Sequence, residues 1–556
     1  MSDGPLAQVA DALVLTALIL FHLILLILPG VAASLVAFRR GVRQGISLLI
    51  IAVLALTTAG YISFWIYFGS RMLGLIFSGV IYLVSAAIVV LSARAWRLSI
   101  ISFPDLRFPA ALMASTALLY ASLGFLYGGM EKPLEMAAHR YSHPLPGDNR
   151  IPLQFAEMIF DQHLIRPLHA DWLSSDRPPL QAAMVLLQRP FIELYDWELQ
   201  YQFIGILLQL LWIPGLWIFL RRAQVSPTAI ALTVFATVFS GFSILHGFYI
   251  WPKLFAAAFI LMLAGMLVAV RRPELRYSDS LAVGTGLVSA FALLGHGGSA
   301  FGLAGILLAL VAVRRIPPLR FVAIAALVGF STFVPWLLYQ KLYDPPGNRL
   351  IKMHIAGVAD AGDNRPIWKA LADGYQNLDV ETIIEKRVGS LCLMLGRLPN
   401  SLWQLRQGMF YHFFHAFGLL NLGFIALALN TFRRKNRETE ARAAGLSWVV
   451  AGITLAVWVL LMFGGPGETV IHQGSFFPVV LGLAGLVLAL WTLSPRLAVV
   501  AVGLQTLLNV ILFVIFSPPE MAAAPAGLFS GGFNYALAVI GTSAAVCLLL
   551  LLRKFG

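Results

Sequence analysis

Only two of the 556 residues are cysteine, Cys392 and Cys547. That count excludes a disulfide framework and a cysteine-built metal centre. Charge is scarce as well: 12% of residues are Asp, Glu, Lys or Arg, against 59% hydrophobic. Soluble domains carry about 25% charged residues, so most of this chain is not built to face water. Also missing are a GxxxxGK[ST] loop, a GxGxxG turn after a strand and an HExxH pair. Nucleotide-driven transport and zinc proteolysis therefore have no motif to rest on. Acidic residues are the scarcer sign, 26 against 39 basic ones, which leaves a net charge of +13. The surplus sits in short connectors such as "RRGVR", "RRPELR", "VRRIPPLR" and "FRRKNRETEAR". This is the pattern of cytoplasmic loops in a membrane protein, and it argues against a nucleic-acid partner.

What the chain has in abundance is long apolar runs, among them "ALVLTALILFHLILLILPGVAASLVAF" and "YALAVIGTSAAVCLLLLL". Both exceed a buried helix of a soluble protein and suffice to cross about 30 Å of hydrocarbon. The first run has no basic segment ahead of it and no small-residue cleavage site after it, so it reads as a retained span. Spans are expected near 11–36, 46–68, 73–93, 109–129, 201–220, 226–246, 251–270, 281–295, 299–313, 321–339, 409–430, 445–463, 475–493, 496–516 and 533–552. The fold class is thus all-α and polytopic, with roughly fifteen transmembrane helices, the N-terminus outside and the C-terminus inside. Basic pI and few cysteines suit a bacterial inner membrane.

On this topology the hydrophilic segments 130–200 and 340–408 and the short "GGPGETVIHQGS" from Gly464 all face outward. Four divisions follow: an N-terminal transmembrane module over 1–105, a core over 106–340 carrying the outer loop 130–200, an outer loop over 341–408, and C-terminal helices over 409–556. Within the first loop, "IPLQFAEMIF" sets Ile151, Phe155, Met158 and Ile159 on one face and Gln154, Glu157 and Asp161 on the other. An amphipathic helix too short to span is expected to lie along the membrane surface, and "PPLQAAMVLLQRPFIEL" reads as a second.

The order of parts in "GDNRIPLQFAEMIFDQ" followed by "ADWLSSDRPPL" resembles the GT-C superfamily of membrane glycosyltransferases. The similar branch holds protein O-mannosyltransferase-like enzymes and bacterial aminoarabinose transferases. There, an acidic residue opens a surface helix of the first outer loop, a "GDW" element follows, and a second acidic residue precedes "KPPL". In this chain Asp148 takes the first acidic position, Asp171 and Trp172 match "DW", Asp176 takes the second acidic position, and Arg177-Pro178-Pro179-Leu180 matches "KPPL". Three departures stand out: Asn149 follows Asp148 where the family has an acidic pair, Arg177 replaces Lys, and about three spans precede the one that bears the loop.

The resemblance implies transfer of a sugar from a polyprenyl-phosphate donor to a lipid, polysaccharide or protein acceptor outside the membrane, by inverting displacement. Such a step needs a carboxylate to take the acceptor's proton and cations to stabilise the departing phosphate. Asp148 is the expected base; equally, an Asp before a helical run is a favoured N-cap. Asp176 is the second catalytic candidate, in acceptor or metal contact, with the plainer reading of a turn residue beside Arg177. For the donor phosphate the candidates are Arg177, Lys253, Arg349 and Lys352; Lys253 in "YIWPKLF" is also a natural interfacial anchor. Substrate-side candidates are Arg150, Glu157, Trp172, His354, His472 and Gln473. No cofactor is implied with certainty. A divalent metal fits Asp148 and Asp176 with a histidine such as His246 or His472, although no ligand spacing requires it.

Two rivals remain at this level. A lipid-linked glycan ligase or polymerase needs essential cations in a late outer loop and no Asp148. A lipid or glycan transporter needs ionisable residues deep in the spans or paired broken helices, whereas these spans are nearly free of charge.

Overall fold

A computed structural model describes residues 4–94, 103–141, 145–192, 195–270, 277–358, 360, 362–410, 412–432, 439–464, 476–516 and 531–556. Among these the regular structure is helical, and the only β pairing is an isolated bridge between His169 and Trp172. Eleven helices are long and apolar enough to cross a membrane, from Pro5–Arg39 to Gly532–Phe555. A pair bent by 59°, Pro227–Val238 with Gly241–Phe248, makes a twelfth if taken as one broken span. The chain is a polytopic, all-helical membrane protein.

Three expected spans form helices that are shorter: Pro252–Leu267, Asp279–Gly295 and Ser299–Ala312. Sixteen residues reach about 24 Å, short of the hydrocarbon core. Burial resolves the mismatch for the first of them. Every residue of Pro252–Leu267 is enclosed by other helices, so it meets protein rather than lipid. At the other extreme, Leu319–Leu338 buries only Phe321 and Trp336 and presents Leu327 and Phe330 outward. A soluble protein would not display such a face.

Small residues bring the helices together where the chain has nothing else to bind them. A β-carbon on Gly305 would fall 2.0 Å from Thr454 Oγ1, and one on Gly30 would fall 2.5 Å from the Ala52 carbonyl oxygen. Charged contacts inside the bundle gather towards its ends. Away from the loops, Asp105 accepts from Arg221 Nε at 2.7 Å and from Trp217 Nε1 at 3.0 Å.

The surface platform expected of the first loop is not what forms. Leu180–Leu187 is buried along its whole length, packed on Gly45–Gly69 and Ile151–Phe160. The reason lies in its composition: apart from Gln181 it is apolar on all sides, and such a helix needs cover all round. Ile151–Phe160 also turns its apolar face into protein, leaving only Gln154 and Glu157 half-buried. The N-terminal helices supply much of that cover. Gly60 sits against the Met184 sulfur, and both ring nitrogens of His22 meet amides, Gln188 Oε1 at 2.8 Å and Gln200 Oε1 at 3.1 Å.

The first two hydrophilic segments meet at one end of the bundle. Asp344 is the fastener between them: fully buried, it accepts from Ser174 Oγ at 2.6 Å and the Ser175 amide at 3.2 Å, and lies 3.3 Å from Arg166 Nε. Gln340 Nε2 adds a bond to the Ser175 carbonyl at 2.9 Å.

Candidate functional site

Asp148 sits in the 3-10 turn Gly147–Arg150, just before Ile151–Phe160. It does not cap that helix. Its Oδ2 accepts from Arg177 Nη2 at 2.8 Å, and its Oδ1 stands 3.1 Å from Tyr249 Oη, which also donates to the Pro146 carbonyl at 2.6 Å. The turn itself is pinned from below. Tyr201 Oη donates to the Asn149 carbonyl at 2.8 Å, and Asn149 Nδ2 donates to the Leu134 carbonyl at 3.0 Å. With 9% of its surface exposed, the carboxylate is held and nearly dry.

The "DW…DRPPL" element folds into the same cluster. Arg177 lies with its guanidinium carbon 4.3 Å from the centre of the Trp172 ring, and Arg349 approaches that ring at 5.0 Å. One indole thus meets two guanidinium groups. Arg349 pairs with Asp171 and lies 3.4 Å from Asp176 Oδ2, which also accepts from the Leu173 amide at 2.9 Å. Burial lifts the Asp176 carboxyl above the ordinary range, against the opposing pull of the Leu173 amide and Arg349. Its Oδ1 has no hydrogen-bond partner among the described residues.

Lys253 reaches the cluster from the start of Pro252–Leu267. Rather than snorkelling to the interface, it is 4% exposed, with Nζ 3.4 Å from the Trp251 ring centre. It lies within the electrostatic reach of Asp148 and Arg177, and His296 lies within that of Lys253, Arg177 and His354. Neither Lys253 Nζ nor Arg177 Nε has a hydrogen-bond partner among the described residues. Beside Lys253 runs a narrow cleft of about 20 Å³, lined by His296, Ser299, Thr454, Phe476 and Phe477. That is room for about one water molecule.

Other expected site residues lie elsewhere. Arg150 pairs loosely with Glu198 at 3.9 Å, both groups more than a third exposed. Lys352 is 1% exposed and bound to Asp363, whose carboxyl Arg365 and Lys352 hold well below the usual range, so its charge is already answered. The His354 carbonyl accepts from the Phe463 amide at 2.8 Å. His472 and Gln473 lie outside the described residues.

Glu157 lines a separate cavity of about 750 Å³ with Gln154, Asp161, Arg189, Tyr195 and Trp197. Burial raises its carboxyl pKa, Trp197 and Arg189 oppose the rise, and Asp161 and Glu198 add to it. A raised pKa means that the folded state holds the proton more tightly than the unfolded one. Stability is therefore lost as pH rises from the unfolded value of about 4.3 through the folded one. The E157Q variant is expected to melt above the wild type at about pH 8 and level with it below about pH 4. Melting curves in detergent across that range check the sign; a constant offset would contradict it.

The carboxylates do not fit a metal. Asp148 is occupied by Arg177 and Tyr249, and Asp176 by Arg349, while His246 Nε2 turns to the Phe410 carbonyl at 2.6 Å. Among the described residues no group of three His, Cys, Asp or Glu is placed to hold one.

Sequence reasoning missed Tyr249, Tyr201, Asp171 and Asp344 as members of this network. Only Asp171 carried a signal, as part of the "DW" element. Tyr249 lies 101 residues from Asp148, and nothing in the spacing of either relates them. Comparison of the chain with protein families, curated proteins and solved structures gave no match.

Proposed function

We propose that the chain is a GT-C-type glycosyltransferase that moves a sugar from a polyprenyl-phosphate donor to an acceptor hydroxyl at the outer face of the membrane. One observation carries this reading: two buried cationic donors with no hydrogen-bond partner among the described residues, Arg177 Nε and Lys253 Nζ, stand near a fixed carboxylate, Asp148. Buried cations with open donor positions favour an anion, and phosphate, with several acceptor oxygens, suits a guanidinium fork beside an ammonium. The apolar flanks at Phe476 and Phe477 suit a donor whose tail lies in lipid.

The step balances without a cofactor. As the acceptor oxygen bonds to the anomeric carbon, its proton passes to Asp148. The bond from that carbon to the phosphate oxygen breaks with its electron pair on the lipid phosphate, where Arg177 and Lys253 stabilise the charge. Attack opposite the leaving group inverts the anomeric centre. Trp172 and Arg349 act as positioning residues, holding the Arg177 plane and the segment from Asp171 to Asp176. Since the cleft admits about one water, the surrounding helix ends must part to admit a sugar.

The test uses the full chain in nanodiscs with radiolabelled polyprenyl-phosphate monosaccharides and a membrane-extract acceptor. Label is expected to pass from the lipid donor to the acceptor, and not from nucleotide sugars. Failure with every lipid-linked monosaccharide, or direct use of a nucleotide sugar, sinks the reading.

A further inference from the structure

Arg140, at the end of the helix Pro133–His139, is completely buried, and none of its three guanidinium nitrogens has a hydrogen-bond partner among the described residues. Two rings face its charge, Tyr141 at 4.7 Å and Tyr127 at 5.4 Å. Aromatic faces offset part of the cost of burying a cation, but a guanidinium with no acceptor among the described residues remains strongly unfavourable. The Tyr141 hydroxyl, also buried, lacks a partner too.

A second cation comes from another part of the chain. Arg406 is 2% exposed, lies 4.3 Å from the Trp403 ring, and donates to the carbonyls of Leu512, at 3.2 Å, and Phe516. It is fixed on the segment whose Phe513 ring packs on Tyr141 at 5.2 Å, and its charge reaches Tyr141. Among the described residues no ion pair joins Arg140 to a carboxylate; Phe248 lies 6.1 Å from Tyr141, and Asn534 accepts from the Tyr127 amide. Half-buried Tyr127 places the cluster one ring in from the surface.

We propose that Arg140, Tyr141 and Arg406 form a second binding site, for a phosphate-class oxyanion, adjoining but separate from the Asp148–Arg177 cluster. The guanidinium of Arg140 and the Tyr141 hydroxyl are buried donors of neighbouring residues with no partner among the described residues, and an anion with three or more acceptor oxygens can take bonds from both. Phe248, whose ring lies 6.1 Å from that of Tyr141, directly precedes Tyr249, which holds Asp148. The inference does not need glycosyl transfer; it asks only for an anion.

The experiment measures melting of the full chain in a maltoside detergent against inorganic phosphate, with chloride at matched ionic strength. A second arm uses phosphatidylcholine nanodiscs with and without phosphatidic acid. Stabilisation is expected in the wild type and in a D148N/R177Q variant, and its loss in R140M. Response to phosphate in detergent identifies a free anion as the ligand, and response to phosphatidic acid alone identifies a lipid headgroup. The Y141F variant, which keeps its shape and loses one donor, is expected to bind the stabilising anion about tenfold more weakly. Without ligand, R140M is expected to melt higher than the wild type, because it removes an unanswered buried charge. A ligand-free R140M that melts lower overturns the proposal, since the chain would then supply its own counter-charge. So does equal stabilisation of R140M, or no response of the wild type in either arm.

Discussion

Replacing Asp148 by Asn is expected to slow sugar transfer roughly a thousandfold, the middle of the range for loss of a positioned general base. Asn keeps the shape and the contact with Tyr249 but cannot take the acceptor's proton. The same change leaves Arg177, 10% exposed at its side chain, without its ionic partner. Removing one partner of a buried pair costs about 3–5 kcal/mol, so folding must be separated from chemistry. Two controls do this. The D148N/R177Q double variant removes both charges and is expected to melt closer to the wild type while staying inactive. D148E keeps the base and is expected to retain part of the rate. Donor binding in D148N should hold or tighten, because the arginine is released to the phosphate, so kcat falls and KM does not rise. A folded D148N protein that turns over within a few-fold of wild type removes the proposed base.

Removing Arg349 is expected to have a large effect on stability, one that depends on pH. Arg349 is 5% exposed at its side chain and Asp176 is 0% exposed, so R349A leaves a buried carboxylate without its cation. The loss at neutral pH is about 3–5 kcal/mol. Its pH dependence distinguishes this cause from simple loss of packing. Burial already holds the Asp176 carboxyl above its ordinary range, and deleting Arg349 removes one of the influences that restrain it. A group with a raised folded pKa is fully compatible with folding below its unfolded pKa of about 3.9, and stability is lost as pH rises through the folded value. The gap between R349A and wild type should widen from about pH 4 to about pH 8. The D176N/R349A variant should recover much of the difference. R349K restores charge but not a fork that reaches both Asp171 and Asp176, so it should fall between. A deficit that ignores pH in melting curves would contradict this account.

How much of this was legible in the chain differs by scale. The helices were legible, because runs such as Pro5–Arg39 and Gly532–Phe555 are apolar over lengths that only a membrane or a large core accommodates. The meeting of the hydrophilic segments was legible too, since the basic connectors place 130–200 and 340–408 on one side. Asp148, Trp172, Asp176 and Arg177 do come together, and Lys253 joins them from a distant span. What failed was the environment of individual residues. "PPLQAAMVLLQRPFIEL" was read as an amphipathic surface helix, yet its helical part Leu180–Leu187 is apolar but for Gln181 and suits complete enclosure. Lys253, a donor-phosphate candidate whose plainer reading was an interfacial anchor, is buried on Trp251, so only the anchor reading fails. Lys352 was a phosphate candidate and is answered by Asp363 eleven residues away.

The sequence alone determined that the chain spans a membrane many times, that charges are kept to the ends of its apolar spans, and that one loop end collects the carboxylates and cations. These follow from solvation: hydrocarbon rejects charge whatever the packing, and rejection can be read residue by residue. Only the tertiary structure decided which cation answers which anion. Tyr249 on Asp148 and Arg349 on Asp176 depend on contacts between segments more than a hundred residues apart, and Arg140 has no hydrogen-bond partner among the described residues. Pairing is a property of distance in space, and a linear pattern carries no measure of it.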